Sequence, residues 1–199
     1  LKSKRCWMIK RWLEEELMNK LTYRRGVHLT GARQVGKSTL VNSIQISRCR
    51  RYTLDAQNVR EVALIDPNGF VKHEVGETLV VDEVQKVPEL LNAIKIVLDN
   101  DNAKGQYLLT GSSNLQFAKA ITDSLAGRLG HLRLRPLAWG EIDGNQPTFL
   151  KRAFCRDFNN EYENVDKRKI IEIAFCGGYP EPLMFTQKER RDWFKDYLN

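Results

Sequence analysis

Residues 31–38 read Gly31-Ala32-Arg33-Gln34-Val35-Gly36-Lys37-Ser38, which satisfies G-x-x-x-x-G-K-[ST] at every fixed position. The chemistry behind that spacing is geometric. Gly31 and Gly36 let the backbone wrap an anion with its N–H groups pointing inward. Lys37 can reach the β- and γ-phosphates of a nucleotide, and the Ser38 hydroxyl can ligate Mg²⁺. A helix starting near Lys37 sets its positive dipole end under the phosphates. A glycine turn beside an incidental lysine would give the same letters, so context decides. Val27-His28-Leu29-Thr30 before the loop reads as a short buried strand, and residues 38–44 after it read as a helix. Strand, glycine loop, helix is the order the mechanism demands. Gly31, Ala32, Arg33, Gln34, Val35, Gly36, Lys37, Ser38 and Thr39 are therefore the candidate residues for binding ATP or GTP.

A second motif completes a site. Leu79-Val80-Val81-Asp82-Glu83 is an apolar strand ending in two acids, and strand ends of parallel sheets face the ligand crevice. Asp82, with Ser38, is the candidate Mg²⁺ holder, and Glu83 the candidate general base that polarises the attacking water. The plainer alternative is that both acids cap a helix or face solvent. Leu109-Thr110-Gly111-Ser112-Ser113-Asn114 ends another strand in polar residues. Ser112 and Asn114 there are candidates for holding the lytic water or sensing the γ-phosphate, and an ordinary helix N-cap uses the same residue types. Arg128 precedes the last predicted strand. It is either a catalytic finger reaching a neighbouring subunit's nucleotide or a surface arginine near a helix C-terminus.

Strands are predicted at 26–30, 51–55, 78–82, 106–110 and 131–134, with helices over 5–20, 37–46, 58–65, 68–74, 88–99 and 114–126. Short apolar strands alternating with helices predict a parallel sheet covered on both faces. Pro136, Gly140, Gly144 and Pro147 mark loops, and from about 148 the pattern is helical only. The expected organisation is an α/β core over 1–145 and a small helical subdomain over 146–199. The first residue is not Met and the last helix has no stop signal, so the chain is expected to be cut before a further domain.

Composition narrows the class. Net charge is +7 with 42% hydrophobic and 29% charged residues, a globular rather than disordered balance. No apolar run is long enough to span a membrane, and the basic start lacks the apolar stretch of a secretory signal. Cys6, Cys49, Cys155 and Cys176 form no C-x-x-C pair, which predicts free thiols in a reducing cytoplasm rather than a disulfide or zinc site. The three histidines suggest no ligand set, and His28, inside a predicted strand, is read as structural. Basic clusters such as Arg48, Arg50 and Arg51 admit nucleic acid as a partner.

Taken in order, these motifs resemble the AAA+ ATPases, in particular bacterial and archaeal members with a GARQVGK-type loop. Ser124-Leu125-Ala126-Gly127-Arg128, Arg135-Pro136-Leu137-Ala138-Trp139-Gly140-Glu141 and Gly177-Gly178-Tyr179-Pro180-Glu181-Pro182 are similar to further signatures of that family, and the likeness runs over nearly the whole chain. The resemblance implies a five-stranded parallel sheet of order 5-1-4-3-2, flanked by helices and followed by a helical lid. It makes Asp82 and Glu83 the Walker B pair, puts a sensor at Ser112 to Asn114, and sets Tyr179 and Pro180 near the nucleotide base. It favours ATP over GTP and implies a C-terminal effector domain or protein partner; the reading of Arg128 as a finger is the one that would call for a homo-oligomer. The expected function is an ATP-binding, Mg²⁺-dependent ATP-hydrolysing module that switches conformation with its nucleotide. Two alternatives stand beside it: a nucleic-acid-binding module regulated by ATP, and a small-molecule kinase.

Overall fold

A computed structural model describes residues 9–112, 125–157 and 166–198. Five strands among them, β1 (Gly26–Gly31), β2 (Cys49–Thr53), β3 (Thr78–Asp82), β4 (Tyr107–Ser112) and β5 (Leu129–Leu134), form one all-parallel sheet of order β2-β3-β4-β1-β5. Read from the other edge, this is the expected order 5-1-4-3-2.

The strands alternate which face each side chain serves. Leu79, Val81, Tyr107, Leu109 and Leu129 enter one core with Leu90, Leu91, Ile94 and Leu98. Those four lie on α5 (Leu90–Asn100) at the i, i+1, i+4, i+8 spacing of a single helical face. Val27, Leu29, Val80, Leu108, Leu132 and Leu134 enter the other core. It is closed by Leu17 and Leu21 of α1 (Leu13–Tyr23) and by Leu40 and Val41 of α2 (Lys37–Ser43). α3 (Gln57–Ile65) and α4 (Pro67–Phe70) bridge β2 and β3. The β5 edge is closed by side chains: Arg24 donates to Leu129 O at 2.9 Å and Lys20 to His131 O at 3.2 Å. Such pairing removes acceptors that another strand would otherwise find.

Two compact units divide the chain, Leu13–Arg135 and Leu1–Trp12 with Pro136–Asn199, as far as each is described. The division differs from the 145/146 boundary expected from composition. In the second unit α6 (Trp139–Ile142) is followed by α7 (Phe149–Cys155), α8 (Lys167–Cys176) and α9 (Gln187–Leu198). Its anchor is the buried Glu141 carboxylate, which accepts from Arg11 Nε at 3.2 Å, Trp12 N at 2.7 Å and Ala138 N at 2.9 Å. These bonds hold residues 11 and 12 in non-helical backbone, so the helix expected over 5–20 begins only at Leu13. The two late motifs meet here. Leu137 N donates to Gly178 O at 2.7 Å, and a Cβ on Gly178 would lie 2.3 Å from Leu137 O. Gly177 ends α8 at φ 67°, a conformation glycine adopts without penalty.

Other boundaries shift by a few residues. β2 is Cys49–Thr53 because Cys49 pairs with Thr78 and Thr53 with Asp82. Pro88 sits in a turn, its carbonyl accepting from Leu91 N, ahead of α5. The helix expected over 114–126 lies outside the described residues save its last two. Among the described residues no helix is long and apolar enough to cross a membrane.

His28 is buried on β1, with its Nε2 unpartnered among the described residues. Desolvation, with His131 opposite it on β5 adding a smaller push, lowers its pKa from 6.5 to about 3. The unfolded chain therefore takes up a proton near pH 6.5 that the native protein refuses until about pH 3. Stability is complete above pH 6.5 and declines as pH falls through that window. Between about pH 7 and 5.5 the wild type should lose about 1 kcal/mol more than His28→Leu in urea denaturation; equal losses would contradict the buried, neutral imidazole.

Candidate functional site

All five strands run the same way, so their C-terminal ends share one edge of the sheet. The loop after β1 lies on that edge. Gly36 adopts φ 96°, ψ 27°, left-handed backbone that costs a side-chain-bearing residue about 1–2 kcal/mol. Gln34 is also left-handed, at φ 57°. Gly31 is required for a different reason: a Cβ there would lie 2.6 Å from Leu134 O of the neighbouring strand. Val35 is fully buried in the core beside β1. It pins the middle of the loop while Arg33, Gln34, Ser38 and Thr39 stay exposed.

Lys37 turns its ammonium back onto the loop, donating to Gly31 O at 3.1 Å and Ala32 O at 2.9 Å. An ammonium has three protons, so a third remains for a phosphate oxygen. Burial pulls the Lys37 pKa down, Glu83 and Asp82 push it up, and Arg33 adds to the lowering. A buried cation short of solvation gains from an arriving anion.

Ser38 Oγ donates to Asp82 Oδ2 at 2.7 Å. β1 and β3 are not neighbours; β4 lies between them. The hydroxyl of one motif and the carboxylate of the other thus meet across an intervening strand. Hard oxygens in this small number suit Mg²⁺, which keeps several waters and takes its remaining ligands from phosphates. A protein cage would need more donors, and among the described residues no group of three or more His, Cys, Asp or Glu is placed to hold a metal ion. Glu83 follows directly in left-handed backbone, φ 59°, with its carboxylate accepting from the Gln85 side-chain amide. The β1–β4 register sets the Ser112 backbone beside Gly31.

Two residues of this network were not singled out from the sequence, Thr110 and Gln85. Thr110 is fully buried, donates to Asp82 Oδ1 and accepts from Glu83 N at 3.1 Å. The available signal was a hydroxyl residue following Tyr107-Leu108-Leu109, in line with the strand that ends at Asp82.

The AAA domain family model matches residues 23–143. The chain belongs to the AAA domain family. Uncharacterised proteins of Mycobacterium tuberculosis and Mycobacterium bovis are each 31% identical over 117 residues, 58% of this chain and 26% of theirs. The chain thus spans about a quarter of the length of the curated relatives it matches. A Walker-type ATPase of Pyrococcus abyssi shares the fold, with TM-score 0.53 and 18% identity over 87% of this chain and 65% of that one.

Within this AAA domain Lys37, Ser38, Asp82 and Glu83 share the sheet's C-terminal edge, and Arg128 does not. It immediately precedes β5, whose last residue, Leu134, is in register with Gly31. Six residues of strand span roughly 20 Å, so Arg128 is about one sheet length from its own loop. It is held by Asp99, through NH2 to Oδ2 at 3.0 Å and through Nε to Oδ1. Asn114 lies outside the described residues. Tyr179 and Pro180 belong to the other compact unit, where the Tyr179 ring packs with Trp193, Phe194 and Tyr197 and its hydroxyl donates to Tyr197 Oη at 3.2 Å. Desolvation, with that hydrogen bond second, pushes the Tyr179 pKa up to about 12.

Gly31→Ala puts a methyl against a strand carbonyl that moves only with the sheet. It should destabilise the protein by about 1–3 kcal/mol, read as a lower urea midpoint with unchanged slope. An unchanged midpoint would contradict the close approach.

Proposed function

We propose that this AAA domain binds ATP with Mg²⁺, hydrolyses it slowly, and changes conformation with the state of its nucleotide. The observation that carries the reading is the meeting of Ser38 with Asp82 at 2.7 Å beside the closed loop. The loop N–H groups and the third Lys37 proton would take the β- and γ-phosphates. Ser38 and Asp82 would hold Mg²⁺, which would supply neutralisation of the negative charge on the β- and γ-phosphates. Glu83 would accept the proton of the attacking water as the new oxygen–phosphorus bond forms and the bond to the β-phosphate oxygen breaks, giving ADP and phosphate. Loss of the γ-phosphate removes contacts at Lys37 and Ser38, and that difference in contact energy is what a switch requires.

Ser112 and Asn114 are proposed to sense the γ-phosphate, and Tyr179 and Pro180 to serve the base. Arg128, far along the sheet from its own loop, is proposed to serve a neighbouring copy's nucleotide, which calls for a homo-oligomer. A protein partner or effector domain would receive the signal. A reducing, cytoplasmic setting suits the described cysteines, Cys49, Cys155 and Cys176, all free thiols.

The second reading, a nucleic-acid-binding module regulated by ATP, rests on the net charge of +7. Much of the basic cluster after α2 is committed internally, and that weakens it. Arg48 pairs with Glu74, and Arg50 with Glu77 at 2.6 Å. Arg51 donates to the C-terminal carbonyls Val41 O and Ile44 O. Oligonucleotide binding that falls steeply with salt would favour this reading.

Steady-state ATP hydrolysis, measured against protein concentration with Lys37→Ala as the blank, tests the proposal. Specific activity should rise with concentration, and Arg128→Ala should lower it by roughly a thousandfold. Wild-type activity equal to the blank would overturn hydrolysis. Activity independent of both concentration and Arg128 would overturn the assembly.

A further inference from the structure

We propose that Thr110 is a positioning residue for both acids of the site, its single hydroxyl aiming the Asp82 carboxylate at the metal and fixing the backbone from which Glu83 acts. The inference rests on the roles given to Asp82 and Glu83 above and extends them to a residue outside both motifs.

Thr110 lies on β4 between β3 and β1, in register with Leu29. On its other side the β3–β4 register runs Leu79–Tyr107, Val80–Leu108, Val81–Leu109, and the next residues in line are Asp82 and Thr110. The preceding β4 residues, Leu108 and Leu109, are fully buried, and so is Thr110. A hydroxyl in such a place is costly unless both its donor and its acceptor functions are used.

Both are used, and in one direction only. The Glu83 N–H can only donate, at 3.1 Å to Thr110 Oγ1, and an ionised Asp82 can only accept. The one hydroxyl proton is therefore directed to Asp82 Oδ1. Ser38 occupies Oδ2 at 2.7 Å. When Ser38 turns to a metal ion, the Thr110 bond is the one that still orients the carboxylate. The same oxygen holds Glu83 at φ 59°, a backbone region that glutamate avoids unless its surroundings impose it. With Gln85 on its carboxylate, Glu83 is gripped at both ends. The β-branch of threonine restricts the hydroxyl's rotation, a constraint serine keeps only in part.

The test compares wild type, Thr110→Val and Thr110→Ser in two measurements: affinity for a fluorescent ADP analogue with and without Mg²⁺, and kcat and KM for ATP. The valine variant should bind the metal-free analogue as wild type does, because Lys37 and the loop are untouched. It should lose most of the Mg²⁺-dependent gain in affinity, so that KM for MgATP rises in step, and kcat should fall roughly 10–100-fold. The serine variant should recover most of both. Should the valine variant fail to fold, Thr110→Ala replaces it. An undiminished Mg²⁺ gain in the valine variant, or a serine variant as impaired as valine, would overturn the proposal. Loss of metal-free binding along with the rest would reduce Thr110 to a packing residue. If the wild type hydrolyses no ATP the reading above fails, and the Mg²⁺ measurement still decides the role of Thr110.

Discussion

The site depends on one hydrogen bond, Ser38 Oγ to Asp82 Oδ2 at 2.7 Å. It joins the loop after β1 to the end of β3 over the end of the strand between them. Three conditions make it possible. The sheet must be all parallel, so that both ends reach one edge. β4 must insert between β3 and β1 in that order. The loop must turn back sharply enough to bring Ser38 over the edge, which the left-handed Gly36 allows. The first follows from burial. Apolar residues on alternate sides of β3 and β4 serve two separate cores, and a parallel sheet covered on both faces is how a chain satisfies them.

Around that bond the polar groups are few and committed. Lys37 holds two loop carbonyls, and Thr110 donates to the Asp82 carboxylate and accepts from the Glu83 backbone N–H. Glu83 is held in a conformation its own preferences disfavour. Such pre-set geometry is what a site needs if it is to recognise phosphate and metal without reorganising on arrival. The Arg128–Asp99 pair stands apart at the opposite end of β5.

Much of this was legible in the sequence, because local signals and tertiary demands agree there. The phosphate loop, the apolar strand ending in Asp82, and the strand–helix alternation of a covered parallel sheet are set within short windows, while the strand order came from the resemblance of the motifs to a family. What was not legible depends on distant partners. The helical pattern read over 5–20 runs straight through residues 11 and 12, yet both are taken out of the helix by Glu141, far along the chain. β2 sits two residues earlier than its apolar pattern suggests because pairing with β3 sets its register. Thr110 reads as an ordinary strand residue until the neighbouring strand brings Asp82 beside it. Gly178 looks like part of a helix-ending turn, and its tighter constraint, the Leu137 carbonyl, comes from another segment.

The most direct test of the account is the Mg²⁺-dependent gain in affinity for a non-hydrolysable ATP analogue, measured by calorimetry in wild type, Ser38→Ala, Asp82→Asn and the double variant. If Ser38 and Asp82 hold one metal ion against the phosphates, each single variant loses most of the gain and the double variant loses no more than the worse single one. A gain that survives either substitution intact, or losses that simply add, would contradict a shared metal at this bond.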